Sequence, residues 1–142
     1  MNITQEELNE ALCQSVIKSN LDMTKLLLSK GADANSDTLA STKSKISVLY
    51  YSIWGITLRC TSWYHSLLRD HKEPGESEHV FNKLKQDYKI LALLIENGAN
   101  KSQRIDGYPI DVYLKRDQEG YSERKEGKPV VDFLDKIISL IS

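Results

Sequence analysis

Apolar residues recur at helical spacing in several separate stretches of this chain, each too short to bury its own stripe. Met23, Leu26, Leu27 and Leu28, with Leu21 just ahead, form one such stripe, and the spacing predicts a short amphipathic helix over about 21–30. Upstream, Thr4 and Glu7 stand at capping-box spacing and predict a helix over about 5–18. Helices are expected at about 47–58 and 61–71, the first carrying Gly55 and the second Trp63, Leu67 and Leu68. Between Lys72 and Glu76, Pro74 and Gly75 read as a hard turn. Further helices are expected over about 77–86, 87–97 and 109–116. The run Asp117–Lys128 holds one apolar-bodied residue, Tyr121, amid charge, and reads as an exposed inserted loop. Pro129 then opens a last helix with Val130, Val131, Phe133, Leu134, Ile137, Ile138, Leu140 and Ile141, apolar on more than one face.

Two of these segments repeat each other. The stretch from Asn20 to Asn35 ends Leu-Leu-Leu-Ser-Lys-Gly-Ala-Asp-Ala-Asn, and the stretch from Asp87 to Asn100 ends Leu-Leu-Ile-Glu-Asn-Gly-Ala-Asn. Superposing Gly31 on Gly98, 67 residues apart, aligns Met23 with Ile90 and Ala32 with Ala99. In each, glycine after the last helical turn suits a left-handed closing residue. Asp33 and Asn35 are turn formers that bond their own backbone.

The segment 20–35 resembles the second helix and following loop of an ankyrin repeat, whose period is about 33 residues. Upstream, Leu12 falls on the family's first-helix leucine and Ser15-Val16 on its small buried pair. Ser47-Val48-Leu49-Tyr50-Tyr51-Ser52 resembles the opening of another repeat, and Asp106-Gly107-Tyr108-Pro109-Ile110-Asp111 that of a further one. The resemblance implies an all-α solenoid of about four helix-turn-helix repeats, at about 4–35, 46–75, 76–103 and 105–142, with repeats two and four irregular, in a single ankyrin-repeat domain over 1–142. A competing organisation has three repeats with a helical insertion at about 54–85.

Composition narrows the function classes. Nineteen Lys+Arg against twenty Asp+Glu leave a formal net charge of −1, without the positive excess of a dedicated nucleic-acid binder. No apolar run approaches the ~18–20 residues that span a bilayer, and the acidic N-terminus is unlike a secretory signal. Cys13 and Cys60 make neither a disulfide nor a metal pattern. A cytoplasmic protein without cofactor or metal, and without nucleic-acid or membrane partners, is therefore expected.

Chemistry-bearing motifs are sparse. Cys60, His65, His71 and His79 can be drawn as a metal-dependent enzyme site, yet no His-x-x-x-His or Cys-x-x-Cys spacing supports the drawing. Carboxylates such as Glu6, Glu7 and Glu10 read as solvated helix faces. The aromatic distribution is uneven: Tyr50, Tyr51, Trp54, Trp63 and Tyr64 fall together, including both tryptophans. On the family register Leu49, Ser52 and Ile53 point into the stack, while Tyr51 and Trp54 lie on the face that lines the partner groove of ankyrin proteins. Trp54 packing under the following connection is the alternative. The polar loop from Asn35 to Lys45, with Asp37 and Lys43, is a second candidate surface. The resemblance thus implies a protein-protein interaction module without catalysis, binding through Tyr50, Tyr51, Trp54, Asp37 and Lys43. Its versions include a small inhibitor or immunity protein of a toxin or enzyme, an adaptor and an effector scaffold. The apolar 129–142 helix adds self-association as an expected possibility.

Overall fold

The computed structural model describes residues 2–37, 46–69 and 75–142. Among the described residues the chain is helical almost throughout. The helices are α1 (Gln5–Ile17), α2 (Leu21–Ser29), α3 (Val48–Arg69), α4 (Glu76–Glu96), α5 (Ile110–Glu119) and α6 (Lys128–Ile141). The strands β1 (Arg104–Ile105) and β2 (Tyr108–Pro109) pair antiparallel, with Ile105 opposite Tyr108 across an Asp106-Gly107 turn. The chain divides into two compact units, Met1–Gly55 with Gln86–Asn100, and Ile56–Lys85 with Lys101–Ser142. No described helix is long and apolar enough to cross a membrane.

In the first unit, local capping sets the helix ends. The Glu7 amide donates to Thr4 Oγ1 at 3.1 Å and the Thr4 amide to Glu7 Oε1 at 3.2 Å, the reciprocal box that the Thr4–Glu7 spacing predicts. Asn20 caps α2 by accepting the Met23 amide at 3.1 Å. Between the two helices Ser19 holds φ +57°, a left-handed conformation that disfavours an L-residue by roughly 1–2 kcal/mol. Its hydroxyl donates to the Asp87 carboxylate of α4, which ties the turn down. Asp87 aligns with Asn20 in the repeat, but here it lies inside a helix, where no cap is needed.

Helix α1 packs on α2 through Leu12, Cys13 and Val16 on one side and Leu27 on the other, all buried. The predicted apolar stripe of α2 is only partly in the core. Met23 is 43% exposed and Leu26 49%, while Thr24 is fully buried in their stead. Its hydroxyl lies 2.9 Å from Ser15 Oγ, and the two also reach the Asn20 and Leu12 carbonyls. A buried polar side chain is tolerated where its hydrogen bonds are met at hand. Leu49, Ser52 and Ile53 of α3, with Ile90, Leu91 and Leu94 of α4, are buried as well.

Two expected helix breaks are absent. The pattern predicts separate helices over 47–58 and 61–71, but α3 runs unbroken through Gly55 and Cys60. Nothing at 59–60 can stop a helix, and Thr61 bonds back to the Thr57 carbonyl at 3.1 Å rather than capping a new start. Likewise α4 runs through 86–87, because the Asp87 side chain is engaged by Ser19 instead of its own backbone.

The second unit is built around aromatic rings. Trp63 stacks on Phe81 with centroids 4.8 Å apart, and Phe133 meets both rings edge-on. Helix α5 packs on α6. Val130, Phe133, Leu134, Ile137, Ile138 and Ile141 of α6 are buried, whereas Asp135, Lys136 and Ser139 are exposed. The helix therefore has one buried face rather than apolar residues all round.

The segment 117–128 departs furthest from its expected form as an exposed loop. Its first residues extend α5. The Gln118 amide donates to the Val131 carbonyl at 2.9 Å and to Asp135 Oδ1 at 2.7 Å. Tyr121 is 6% exposed, packs edge-on to Tyr64 and shares a 2.9 Å hydrogen bond with the Thr61 hydroxyl. Burial pushes its phenol up to about 12, although the Thr61 bond pulls the other way. Gly127 allows this inward fold, since a Cβ there would sit 1.8 Å from the Tyr121 carbonyl oxygen.

Gly127→Ala should lower stability by about 1–3 kcal/mol or more, the scale of overpacking against backbone. Gly120→Ala, whose Cβ would meet nothing closer than 3.5 Å, should not. Urea melts of the two variants check this. In the first unit, Leu27→Ala should cost about 2–5 kcal/mol and Leu26→Ala within about 0.5 kcal/mol. Equal losses would misplace the α2 face.

Candidate functional site

Two faces of the first unit carry the residues singled out in the sequence. The first is aromatic and sits at the start of α3. Ser47 accepts the Tyr50 amide at 2.9 Å, which begins the helix and fixes the phase of its first turns. With Leu49, Ser52 and Ile53 turned inward, Tyr50 and Tyr51 are half-buried and Trp54 is 43% exposed. The tyrosine rings meet edge-on at 6.2 Å. Partial burial raises the Tyr51 phenol above its usual value, with Cys13 and Tyr50 adding to it. Cys13 is buried, and burial together with the Glu10 charge pushes its thiol up to about 11. It is therefore a protonated packing group at neutral pH, not an activated nucleophile.

The second face is the turn after α2. Gly31 (φ +100°) and Gly98 (φ +91°) close α2 and α4 in the same way. The Ala32 amide donates to the Leu27 carbonyl and the Ala99 amide to the Leu94 carbonyl, each at 3.0 Å. The Gly31 and Gly98 amides donate to Leu28 and Ile95 at 3.1 and 3.0 Å. This is a Schellman closure made twice, and its glycine position needs the left-handed conformation.

Asn35 joins the two closures. Its Nδ2 donates to the Gly98 carbonyl and its Oδ1 accepts the Asn100 amide, each at 2.7 Å. The equivalent backbone groups of the first closure are satisfied from α1: Gln5 Nε2 donates to the Gly31 carbonyl at 2.9 Å, and Asn9 Oδ1 accepts the Asp33 amide at 2.8 Å. Side-chain amides thus fill the same backbone site in both places. Sequence pattern identifies Asn35 only as a turn former. The signal for its second role is that a side-chain amide carries a donor and an acceptor on two separate atoms, so it can meet a carbonyl and an amide of one turn at once.

Beside this turn lies a pocket of about 370 Å³ lined by Glu6, Asn9, Asp33, Asn35, Ser36 and Asp37. Asp37 is exposed. Lys43, the other loop residue expected to bind, lies outside the described residues. Glu6 and Asn9 are not among the expected site residues, because on α1 alone Glu6 reads as a solvated face.

The cysteine–histidine region is not drawn together. Cys60 is fully buried within α3, His65 and His79 are exposed, and His71 lies outside the described residues. Among the described residues no three of His, Cys, Asp and Glu are grouped so as to hold a metal ion. No protein-family model, curated protein or solved structure matches this chain.

Asn35→Ala should lower stability by roughly 1–2 kcal/mol, two hydrogen bonds at about 0.5–1.5 kcal/mol each. Hydrogen exchange of the Asn100 amide should quicken. Asn35→Asp, which keeps the acceptor, should preserve protection at Asn100, and loss of protection in both variants would contradict the bridging geometry.

Proposed function

We propose that this chain is a non-catalytic protein-binding module built from stacked ankyrin-like repeats, with a partner engaged through the aromatic face of α3 and the turn after α2. The observation that carries this reading is the pair of matched closures at Gly31 and Gly98, locked by Asn35. Short helix pairs of this kind bury their stripes only by stacking on neighbours. A bond between the closing turns of two such repeats is what stacking predicts.

The version with three repeats and a helical insertion is favoured. The segment Ile56–Lys85 groups with the second compact unit rather than with the paired closures. Excising 56–85, thirty residues, shortens the 67-residue spacing of the two glycines to 37, near the ~33-residue period plus a slightly long loop. On this view α3 and α4 are repeat helices lengthened into a hairpin, with Trp63 and Phe81 stacked in its extended part.

Trp54 and Tyr51 are the proposed anchors. Large rigid rings bury much area with few rotors and are frequent hot spots. Trp54 is 43% exposed, so an incoming surface has area left to cover. An inhibitor or immunity role is the narrower proposal, an adaptor role the broader one.

An affinity capture from native host lysate tests the reading, comparing wild type with a Tyr51→Ala/Trp54→Ala variant whose fold is checked by circular dichroism. The expected outcome is one dominant protein, held by the wild type and lost with the folded variant. If that protein is a toxin or hydrolase, the inhibitor role follows. Retention by the variant, or no specific capture, would overturn the proposed anchors or the module respectively.

A further inference from the structure

The matched closures at Gly31 and Gly98 set α2 and the end of α4 in one register, 67 residues apart. At most positions the two helices are covered alike. Thr24 and Leu91 are buried, as are Leu27 and Leu94. Leu21 and Tyr88 are half-buried, as are Leu28 and Ile95, while Asp22 and Lys89 are both exposed. The helices part at three positions, always in the same direction. Met23 is 43% exposed against 1% for Ile90. Lys25 and Leu26 are exposed where Ala92 and Leu93 are half-buried.

This side of the motif is therefore covered in α4 and bare in α2. Single apolar residues scattered over a surface are ordinary. Here, however, the sister helix shows that the same position accommodates a neighbour, and α2 keeps apolar side chains where that neighbour would stand. Met23 and Leu26 are three residues apart and so adjoin on the helix surface.

Opposite charges flank the pair. Asp22 lies in the first turn of α2 and Lys30 caps its end, and both are exposed. Among the described residues neither side chain joins an ion pair. Each stands four residues from Leu26, one on either side. Two such helices laid antiparallel about Leu26 bring Asp22 of each beside Lys30 of the other. Laid parallel, they would set like charge against like, which is unfavourable.

We propose that the outer face of α2 is a self-docking surface. A second copy of this chain packs its own α2 antiparallel on it, with Leu26 at the two-fold axis, Met23 beside it and an Asp22–Lys30 pair at each rim. Such an interface is isologous and closes at a dimer. A nine-residue helix presents less than the ~800 Å² per partner of a standard interface, so the dimer is weak and forms as concentration rises. The surface uses neither Tyr51 nor Trp54, and goes beyond the partner-binding reading above.

The test is sedimentation equilibrium of the full chain from about 10 μM to about 1 mM, the range of weak association. Wild type should pass from monomer to dimer. Met23→Ser/Leu26→Ser should raise the dissociation constant about ten-fold or more, with the melting temperature of the dilute protein unchanged because both side chains are exposed. Asp22→Lys and Lys30→Asp, each with its fold checked by circular dichroism, should weaken the dimer about three-fold or more by opposing like charges. An equimolar mixture of these two variants should associate more tightly than either alone. The double exchange Asp22→Lys/Lys30→Asp, which keeps the net charge, should restore the wild-type constant. Added salt should weaken the wild-type dimer. A chain monomeric throughout the range, or a dimer that neither the apolar nor the charge substitutions weaken, would overturn the self-docking face. A dimer weakened by the apolar pair but indifferent to both charge variants would overturn the antiparallel pairing. A monomer whose captured partner protein is lost with folded Met23→Ser/Leu26→Ser would give the face to that partner and overturn the second copy.

Discussion

The first unit depends on one side chain, Asn35, which places a donor and an acceptor on the backbone of a turn 63 residues further along the chain. A closing turn leaves carbonyls and amides that the helix cannot use. Where two such turns meet, one side chain of both polarities and the right length can satisfy a carbonyl and an amide together. Asn35 does this at the second turn. The bond joins the turn that closes α2 to the turn that closes α4, and Thr24 and Leu27 of the one helix and Leu91 and Leu94 of the other are buried. Hydrophobic burial supplies most of the driving force, but it is non-directional. The amide bridge sets which residues face each other.

The same logic explains helix α1. Gln5 and Asn9 occupy, at the first closure, the backbone site that Asn35 occupies at the second. A donor from one residue and an acceptor from another do what one asparagine does elsewhere, because they lie one turn apart on α1 and present their amides side by side. Gln5 Nε2 also donates to Asn9 Oδ1 at 2.8 Å, which fixes both. This arrangement brings Glu6 and Asn9 to the wall of the acidic pocket, so the pocket's character stems from how the first turn is closed.

What the sequence revealed, and what it hid, divides along the range of the interaction. The ends of α1 and α2 were legible to within a residue because Thr4, Glu7 and Gly31 act on their immediate neighbours and the apolar stripe marks the start of α2. The twin closure at Gly98 was legible for the same reason. The breaks expected near 59–60 and 86–87 are absent because the residues there contain no local stop. The stripe of α2 gave the right helix but placed Met23 and Leu26 in the core, since periodicity reports which residues share a face and not how far a neighbour covers it. Tyr121 was hidden altogether. Its surroundings are charged, and only the backbone approach at Gly127 and the Thr61 hydroxyl bring it inside.

Among the site residues, the aromatic face was legible by residue type, since Trp54 and the two tyrosines stand out in any reading of the chain. The pocket beside the α2 turn was not, because its carboxylates come from α1 and from the turn after α2, and each alone resembles a solvated surface. Exposed aromatic area contributes affinity once water is excluded. Clustered carboxylates act at longer range, attracting a complementary basic segment and rejecting an acidic one. Because net charge is close to zero, such selectivity cannot come from the molecule's overall field. Selectivity by charge would have to arise from a local grouping of charged side chains, such as those that line one pocket of the first unit.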